Sequence, residues 1–349
     1  MHTIEVSTGE LLDKMSILQI KIDRLDGAKQ AEAQKEYDAI AIPIMHHDYQ
    51  YYYRLLRYFN ERLWDIQQNL HEGRGDPVKD YPDIISLNDQ RFKVKQKINR
   101  LSDSTLKEQK SYGDRKCVIY GHLGMGDMYW MNGAVRYFST IYDEVVVLCK
   151  TKNIENVHMM YGDDLTIKAW PIPFDVEIGK ITEHLSEHVM MACGIPAKRA
   201  LTDYPDDFYR HLGIDPGFRT QFFHHAYQGM AEILLDQVAD IPYILVHESK
   251  SSQKFDIVKH LNPDRQLIIN IAYNVYPAGH QFYEIADRFV KLPLSCYIAL
   301  LEDAKEIHLV ESSLACLACH LDLSRVEVKK IYAASDHFLR VGVFEKGEL

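Results

Sequence analysis

KCVIYGHLGMGDMYWMNGAVRYFSTIYDEVVVLCK, residues Lys116 to Lys150, is the stretch that decides the fold. Its first apolar, β-branched run, Cys117–Tyr120, predicts a buried strand, and a glycine-rich turn follows at once. Met128–Ile141 has the spacing of an amphipathic helix, and Val145–Cys149 predicts a second buried strand. Strand, turn, helix and strand make one βαβ unit of a parallel sheet, and such sheets bind ligands at the carboxyl ends of their strands. The turn therefore lies where a ligand is expected.

The turn combines three glycines with an acid. Gly121, Gly124 and Gly126 lack the G-x-G-x-x-G spacing of a dinucleotide fold, and Lys150 stands where such a fold places its acid. The Lys-Ser/Thr pair of a phosphate-binding P-loop is also missing after the last glycine. What is left is a tight turn that presents Asp127, which is placed to act as a general base on an incoming hydroxyl. The alternative is that Asp127 only caps the helix.

Composition narrows the class of protein. The chain has 349 residues, of which 46% are hydrophobic and 26% charged, and this suits a globular protein of two or three domains. We expect no membrane span, because an apolar run of about 18 residues is missing. Six cysteines without a recognisable signal peptide predict reduced thiols and a cytoplasmic location. The net charge of −10 gives no support for broad contact with nucleic acid, although a local basic groove stays open.

Residues 1–112 are predicted to be all-helical. Apolar residues recur at a spacing of three and four in Ser7–Leu25, in Lys29–His71 with a break at Pro43, and in Ile84–Lys110. Three long striped helices predict an antiparallel bundle or a coiled-coil arm. Such an arm would join two chains into a homodimer or would serve as a platform that binds the acceptor. The alternative is a packed helical domain that binds nothing.

From residue 113 the pattern changes to alternating strands and helices. Residues Ser111–Asp114 are the predicted linker, and we expect two α/β domains, 113–232 and 233–349. The irregular, aromatic stretch Asp203–Phe223 is the predicted connection and cleft wall. The remaining predicted elements are strands at Val157–Tyr161, Leu165–Trp170, Pro242–His247, Gln266–Ala272 and Glu306–Val310, and helices at Ile181–Cys193, His224–Asp240 and from Ser312.

Two turns of the second α/β domain carry the residues of an anion site. The first follows the strand that ends at His247 and contains small hydroxyls, among them Ser251 and Ser252, and two lysines, Lys250 and Lys254. Hydroxyls and ammonium groups suit phosphate oxygens. A solvated loop would have the same composition.

The second turn is Glu311, Ser312 and Ser313, between a strand and a helix. A helix N-terminus favours a diphosphate, because its free N–H groups carry partial positive charge. Either serine could equally be a plain N-cap.

The N-terminal segment resembles a known family. STGELLDKMSILQIKIDRL, NERLWDI and SLNDQRFKVKQKINRLSDSTLKEQKSY, within residues 3–112, are similar to an uncharacterised bacterial helical domain family. The resemblance implies a helical fold and a surface-polysaccharide context, without naming a chemistry.

The α/β part, residues 113–340, resembles the GT-B glycosyltransferases. The turn GMGD and the helix through Asn132 and Arg136 are similar to the Gly-Asp turn and Pro-x-x-Arg helix of the heptosyltransferase-like branch. The resemblance implies that Asp127 is the base and that the donor diphosphate is bound by the Ser251, Ser252 and Lys254 turn and by the Ser312–Ser313 helix start. This sequence departs from the pattern at Asn132-Gly133, where the family has a small residue and proline. It also lacks the family's late Gly-x-x-His segment.

Together these patterns predict an α/β fold of two Rossmann-like, GT-B-like domains behind an all-α N-terminal domain. The predicted function is transfer of a sugar from a nucleotide sugar, a UDP- or GDP-sugar, to a hydroxyl acceptor. A lysine and a helix N-terminus would stabilise the departing diphosphate, so we expect neither a metal ion nor a separate cofactor. The predicted site residues are Asp127 and His122 for catalysis; His247, Ser251, Ser252, Lys254, Glu311, Ser312 and Ser313 for the donor; and Gly124, Gly126, Asn132 and Arg136 for the turn and the acceptor.

Three alternatives stay open at this point. The chain could be a non-catalytic assembly or regulatory protein with a degenerate sugar-nucleotide module, and specific nucleotide binding without turnover would favour this. It could transfer sugar to DNA bases, which the acidic charge disfavours. A methyltransferase would need an acid at the end of the second strand, where Lys150 stands.

Overall fold

A computed structural model of the chain describes residues 5–106, 108, 115–174, 177–183, 185, 188–193, 203–250 and 253–348. It divides into two compact units. The first comprises Met1–Arg115, Tyr137–Glu144 and Asp163–Thr166, and the second comprises Lys116–Arg136, Val145–Gly162 and Ile167–Leu349. We therefore describe a helical unit and an α/β unit.

The helical unit is built on four helices in the described residues. They are α1 (Thr8–Arg24), α2 (Gly27–Ile40), α3 (His47–His71) and α4 (Pro77–Leu101). The Ser7 hydroxyl accepts the Glu10 amide at the start of α1, and Asp76 caps α4 in the same way. Helices α1, α3 and α4 pack against one another around Leu56, Val94 and other buried apolar residues. The striped faces thus form a packed core.

Two ion pairs attach the outlying segments of this unit to α4. Lys93 pairs with Asp143, and Lys97 pairs with Asp164. The second pair is almost fully buried, with 3% and 1% of the two side chains exposed. Lys97 also donates to the hydroxyls of Ser139 and Thr166, so each of its three N–H groups has a hydrogen-bond acceptor.

The helix bounds differ from the predicted ones. The predicted region Lys29–His71 is two helices, and the break at Pro43 is confirmed. The third predicted helix, Ile84–Lys110, instead runs Pro77–Leu101 and begins seven residues earlier, because Asp76 and a proline at the first helical position mark its start. A homodimer and a coiled coil stay predictions.

The first sheet of the α/β unit is parallel. Its strands are β1 (Lys116–Tyr120), β2 (Glu144–Lys150), β3 (Ile167–Ile172) and β4 (Val189–Ala192), in the order β3-β2-β1-β4. The helices α5 (Met125–Phe138), α6 (Ile154–Met160) and α7 (Ile178–Glu183) connect them. Val118, Val146 and Ile172 are among the buried residues that join one face of the sheet to its helices.

The second sheet is also parallel and has the order β11-β10-β9-β5-β8. Its strands are β5 (Tyr243–His247), β8 (Leu267–Asn270), β9 (Glu306–Val310), β10 (Val328–Tyr332) and β11 (Glu345–Lys346). A short antiparallel pair, β6 (Ser249–Lys250) and β7 (Gln253–Lys254), follows β5. The other helices are α8 (Asp207–His211), α9 (Phe218–Gln221), α10 (Gly229–Asp236), α11 (Tyr283–Asp287), α12 (Ile298–Asp303), α13 (Ser313–Ala318) and α14 (Asp336–Leu339).

Several α/β predictions are wrong. The helix predicted at Met128–Ile141 begins at Met125, because the Gly124 carbonyl already accepts the Met128 amide, so Asp127 lies inside the first turn and is not the N-cap. The strand predicted at Val157–Tyr161 is part of helix α6, since a parallel crossover needs a helix there. The helix predicted at Ile181–Cys193 is a short helix followed by β4, which pairs with β1. Strands β10 and β11 were not predicted.

A mixed α/β fold with parallel sheets and a helical N-terminal region is confirmed. The division into two Rossmann-like domains, with boundaries at 112 and 232, stays a prediction. The linker Ser111–Asp114 and the hydroxyls of Ser251 and Ser252 lie outside the described residues. Among the residues that are described, none of the helices combines the length and the apolar character needed to cross a bilayer.

Candidate functional site

The glycine turn after β1 presents the carboxylate of Asp127. The chain leaves the strand at Tyr120 and enters α5 at Met125. A Cβ added at Gly124 would lie 2.7 Å from Asp127 Oδ2, so the carboxylate folds back over Gly124. Asp127 is half-buried. The turn therefore holds one acid, partly exposed, at the carboxyl end of the first sheet.

The start of α5 lies against the start of α13, which follows strand β9 of the second sheet. A Cβ added at Gly126 would lie 3.0 Å from Cys316 Sγ and 3.7 Å from Ser313 Cα. Because both helices begin at carboxyl ends of parallel strands, the ligand-binding edges of the two sheets meet here. Burial raises the pKa of the Cys316 thiol well above its ordinary value, so the thiol is a packing group and not a nucleophile.

A tyrosine that the sequence did not single out lies beside the acid. The Tyr204 hydroxyl is 3.5 Å from Asp127 Oδ1, and its ring packs edge-on against Trp130 and Phe208. Burial raises the pKa of Tyr204 above its usual value, and the nearby charges of Asp127 and Glu311 raise it further. The phenol therefore stays protonated and is a hydrogen-bond donor. Its only signal in the sequence was the aromatic character of the Asp203–Phe223 stretch.

In the second sheet the structure joins the two predicted anion turns by direct contacts. His247 Nδ1 and Ser312 Oγ lie 3.0 Å apart in a hydrogen bond. Burial lowers the pKa of His247 to about 4, so the imidazole is neutral at pH 7. Lys250 donates to Glu311 Oε2 over 3.2 Å. His247 and Lys250 thus bring the end of β5 to the start of α13.

Glu311 is also bound to a third loop. The Ser335 backbone N–H donates to Glu311 Oε2 over 2.6 Å, and Lys250 donates to the carbonyl of Ala333 over 3.2 Å. Both partners belong to the loop between β10 and α14. Three loops at the carboxyl edge of the second sheet are therefore tied together through one lysine and one carboxylate.

Lys254, the lysine predicted to bind the donor, has different neighbours. Its side chain is exposed, and its ammonium nitrogen lies 5.6 Å from the centre of the Tyr273 ring. The Tyr273 hydroxyl donates to Glu248, a buried carboxylate that also accepts from the Asn270 amide and the Val258 N–H. Glu248 holds this side of the β5 turn to the end of β8.

The predicted acceptor residues bind the protein's own backbone. Asn132 and Arg136 are fully buried on α5, and both donate to the carbonyl of His224. Arg136 also donates to the Met160 carbonyl. His122, in the turn beside Asp127, meets the Phe208 ring edge-on at 5.9 Å. Asn132 and Arg136 thus hold α5 to the backbone at His224, and a role towards an acceptor stays a prediction.

Comparison with known proteins adds two findings. A model of a family of unknown function (DUF6165) matches residues 2–119, in agreement with the resemblance noted for the N-terminal helices. Among solved structures, the chain is similar to the crystal structure of the bacterial iron-containing dodecameric glycosyltransferase TibC from enterotoxigenic E. coli H10407, at 17% identity and a TM-score of 0.39. It is also similar to a structure of TibC, named a heptosyltransferase, in complex with ADP-D-beta-D-heptose, at 16% identity and a TM-score of 0.36.

Both structural matches cover 65% of this chain and 60% of the other, so the chain spans about 60% of the length of the proteins it matches. At these TM-scores the similarity carries no argument about mechanism or substrate. A comparison with curated proteins gives no match.

Proposed function

We propose that the chain is a nucleotide-sugar-dependent glycosyltransferase that transfers a sugar to a hydroxyl group of an acceptor. One observation carries the proposal. The half-buried Asp127, at the carboxyl edge of one parallel sheet, follows Gly126, which lies against Ser313 and Cys316 at the start of α13, at the carboxyl edge of the other. A base on one side and hydroxyl, imidazole and ammonium groups on the other are the parts that sugar transfer from a diphosphate requires.

In the proposed reaction an acceptor hydroxyl approaches the anomeric carbon of the donor. Asp127 takes the hydroxyl proton as the new carbon–oxygen bond forms, while the bond from the anomeric carbon to the diphosphate breaks. The nucleoside diphosphate leaves with the electron pair of that bond. The Tyr204 hydroxyl donates towards Oδ1 of Asp127 and would orient the carboxylate.

The donor would lie against the second sheet. Its diphosphate would meet the hydroxyls of Ser312 and Ser313 and the predicted turn of Ser251, Ser252 and Lys254. His247, neutral at pH 7, holds the Ser312 hydroxyl in place without adding charge. UDP- and GDP-sugars are the proposed donors.

A thermal-shift screen with UDP, GDP, ADP and CMP tests the donor site. A nucleotide at about 100 times its dissociation constant should stabilise the fold by about 2.7 kcal/mol. We expect a shift with one nucleotide that is reduced in Ser312→Ala and kept in Lys346→Ala, whose side chain is exposed on β11. A well-folded protein that shifts with none of them would overturn the proposal.

A further inference from the structure

We infer that Lys250 is the cation that binds the donor's diphosphate, and that Glu311 competes with the diphosphate for it. The inference rests on the proposed function and concerns the same site. It differs from the sequence-based prediction, which placed this role on Lys254. It also reverses the predicted role of Glu311, because the carboxylate would weaken nucleotide binding instead of contributing to it.

Position favours Lys250 over Lys254. The Lys250 ammonium is 3.2 Å from Glu311 Oε2, and the next residue, Ser312, bonds to His247. Lys250 therefore lies at the junction of the two predicted anion turns. Its side chain is 37% exposed, so a ligand can reach it. Lys254 instead lies over the Tyr273 ring, on the far strand of the β6–β7 pair.

The charge of Glu311 explains why it would compete. Its side chain is 22% exposed and precedes the N-cap of α13, close enough to Tyr204 to raise the pKa of that phenol. A diphosphate brought to Ser312 and Ser313 meets this carboxylate as a like charge, and the two anions need the same ammonium. A diphosphate that binds Lys250 must therefore displace Glu311.

The displaced carboxylate would not be left without a donor. The Ser335 N–H donates to it over 2.6 Å and belongs to the backbone, so this bond survives when Lys250 moves. The exchange also releases Lys250 from the carbonyl of Ala333, a non-glycine residue at φ 50° in the left-handed region. Backbone held in that region is strained and is common at ligand sites. The loop between β10 and α14 is thus the element that would respond to nucleotide.

Titration calorimetry with the nucleoside diphosphate selected by the screen separates these roles, because the two key variants are expected to change affinity in opposite directions. Glu311→Gln keeps an acceptor for the Ser335 N–H but removes the competing charge, and we expect about tenfold tighter binding. Lys250→Met should weaken binding about tenfold or more and lower its salt dependence. Lys259→Met, an exposed lysine paired with Asp256, is the matched control and should bind as the wild type does.

If Glu311→Gln binds the nucleoside diphosphate more weakly than the wild type, or equally well, Glu311 does not compete with the diphosphate for Lys250. If Lys250→Met binds with unchanged affinity and Lys254→Met loses binding, Lys254 is the cation that binds the diphosphate. Thermal melts of each variant verify that it is folded. If the wild type binds none of the nucleotides, the proposed function fails and this inference fails with it, whereas binding with the wrong order of variants overturns this inference alone.

Discussion

Acid should destabilise the protein through His247, and the size of the effect follows from its burial. The pKa of this imidazole is about 4 in the folded chain, against an ordinary value of about 6.5 when unfolded. Between those values the unfolded chain binds a proton that the folded chain does not, so the free energy of unfolding falls as the pH is lowered from 6.5 to 4. Between pH 7 and pH 5 the loss is about 2 kcal/mol.

The assay compares chemical unfolding at pH 7 and pH 5 for the wild type and His247→Gln. Glutamine keeps a hydrogen-bonding group opposite Ser312 but does not titrate, so the variant should lose about 2 kcal/mol less than the wild type over this interval. Ser312→Ala is the control. It removes the hydrogen-bond partner yet leaves the imidazole buried, and since burial is what lowers the pKa, it should keep the acid sensitivity. Equal pH dependence in His247→Gln and the wild type would refute the reasoning.

Three further predictions concern the fold. Lys97→Met removes the ammonium that pairs with the buried carboxylate of Asp164, and should lower the free energy of unfolding by about 3–5 kcal/mol in urea titrations. The double variant with Asp164→Leu should recover most of that loss, and additive losses would contradict this. Gly133→Ala would place a Cβ 2.3 Å from the carbonyl oxygen of Phe218. It should lower the free energy of unfolding by several kcal/mol or prevent folding, which the yield and melting temperature of purified protein measure. Gly179→Ala has open space around the new Cβ and should melt at or above the wild-type temperature. Equal losses of stability in the Gly133 and Gly179 variants would show that the close contact with Phe218 is not the cause.

The central βαβ unit could be predicted from sequence because its signals are local. Apolar runs define β1 and β2, and the glycines between them define the turn. Strand β4 was missed for the opposite reason. It is only four residues long, has exposed residues at Val189 and Met190, and exists because it pairs with β1, about 70 residues earlier in the chain.

The residues of the candidate site also differ in whether local sequence or a distant partner defines them. Asp127 was singled out because its proposed role follows from the turn in which it lies. Tyr204 and Lys250 owe their proposed roles to partners 77 and 61 residues away. Tyr204 has no local pattern that distinguishes it from other tyrosines, whereas Lys250 lies in the turn of serines and lysines that the sequence predicts to bind an anion. Lys254 was chosen because its turn resembles a donor site, whereas Lys250, four residues earlier in the sequence, contacts Glu311.

The most direct test of the central claim compares the wild type with Asp127→Asn. The measured quantity is the rate at which each releases nucleoside diphosphate from the donor that the binding screen selects, with a mixture of glycan and monosaccharide acceptors present. Asparagine has the shape of aspartate but cannot take the acceptor's proton, so release should fall about 10²- to 10⁴-fold while donor binding is unchanged. Equal rates in both proteins would contradict the role of Asp127. A wild type that binds the donor and never turns it over would contradict the transferase and favour a non-catalytic nucleotide-binding protein.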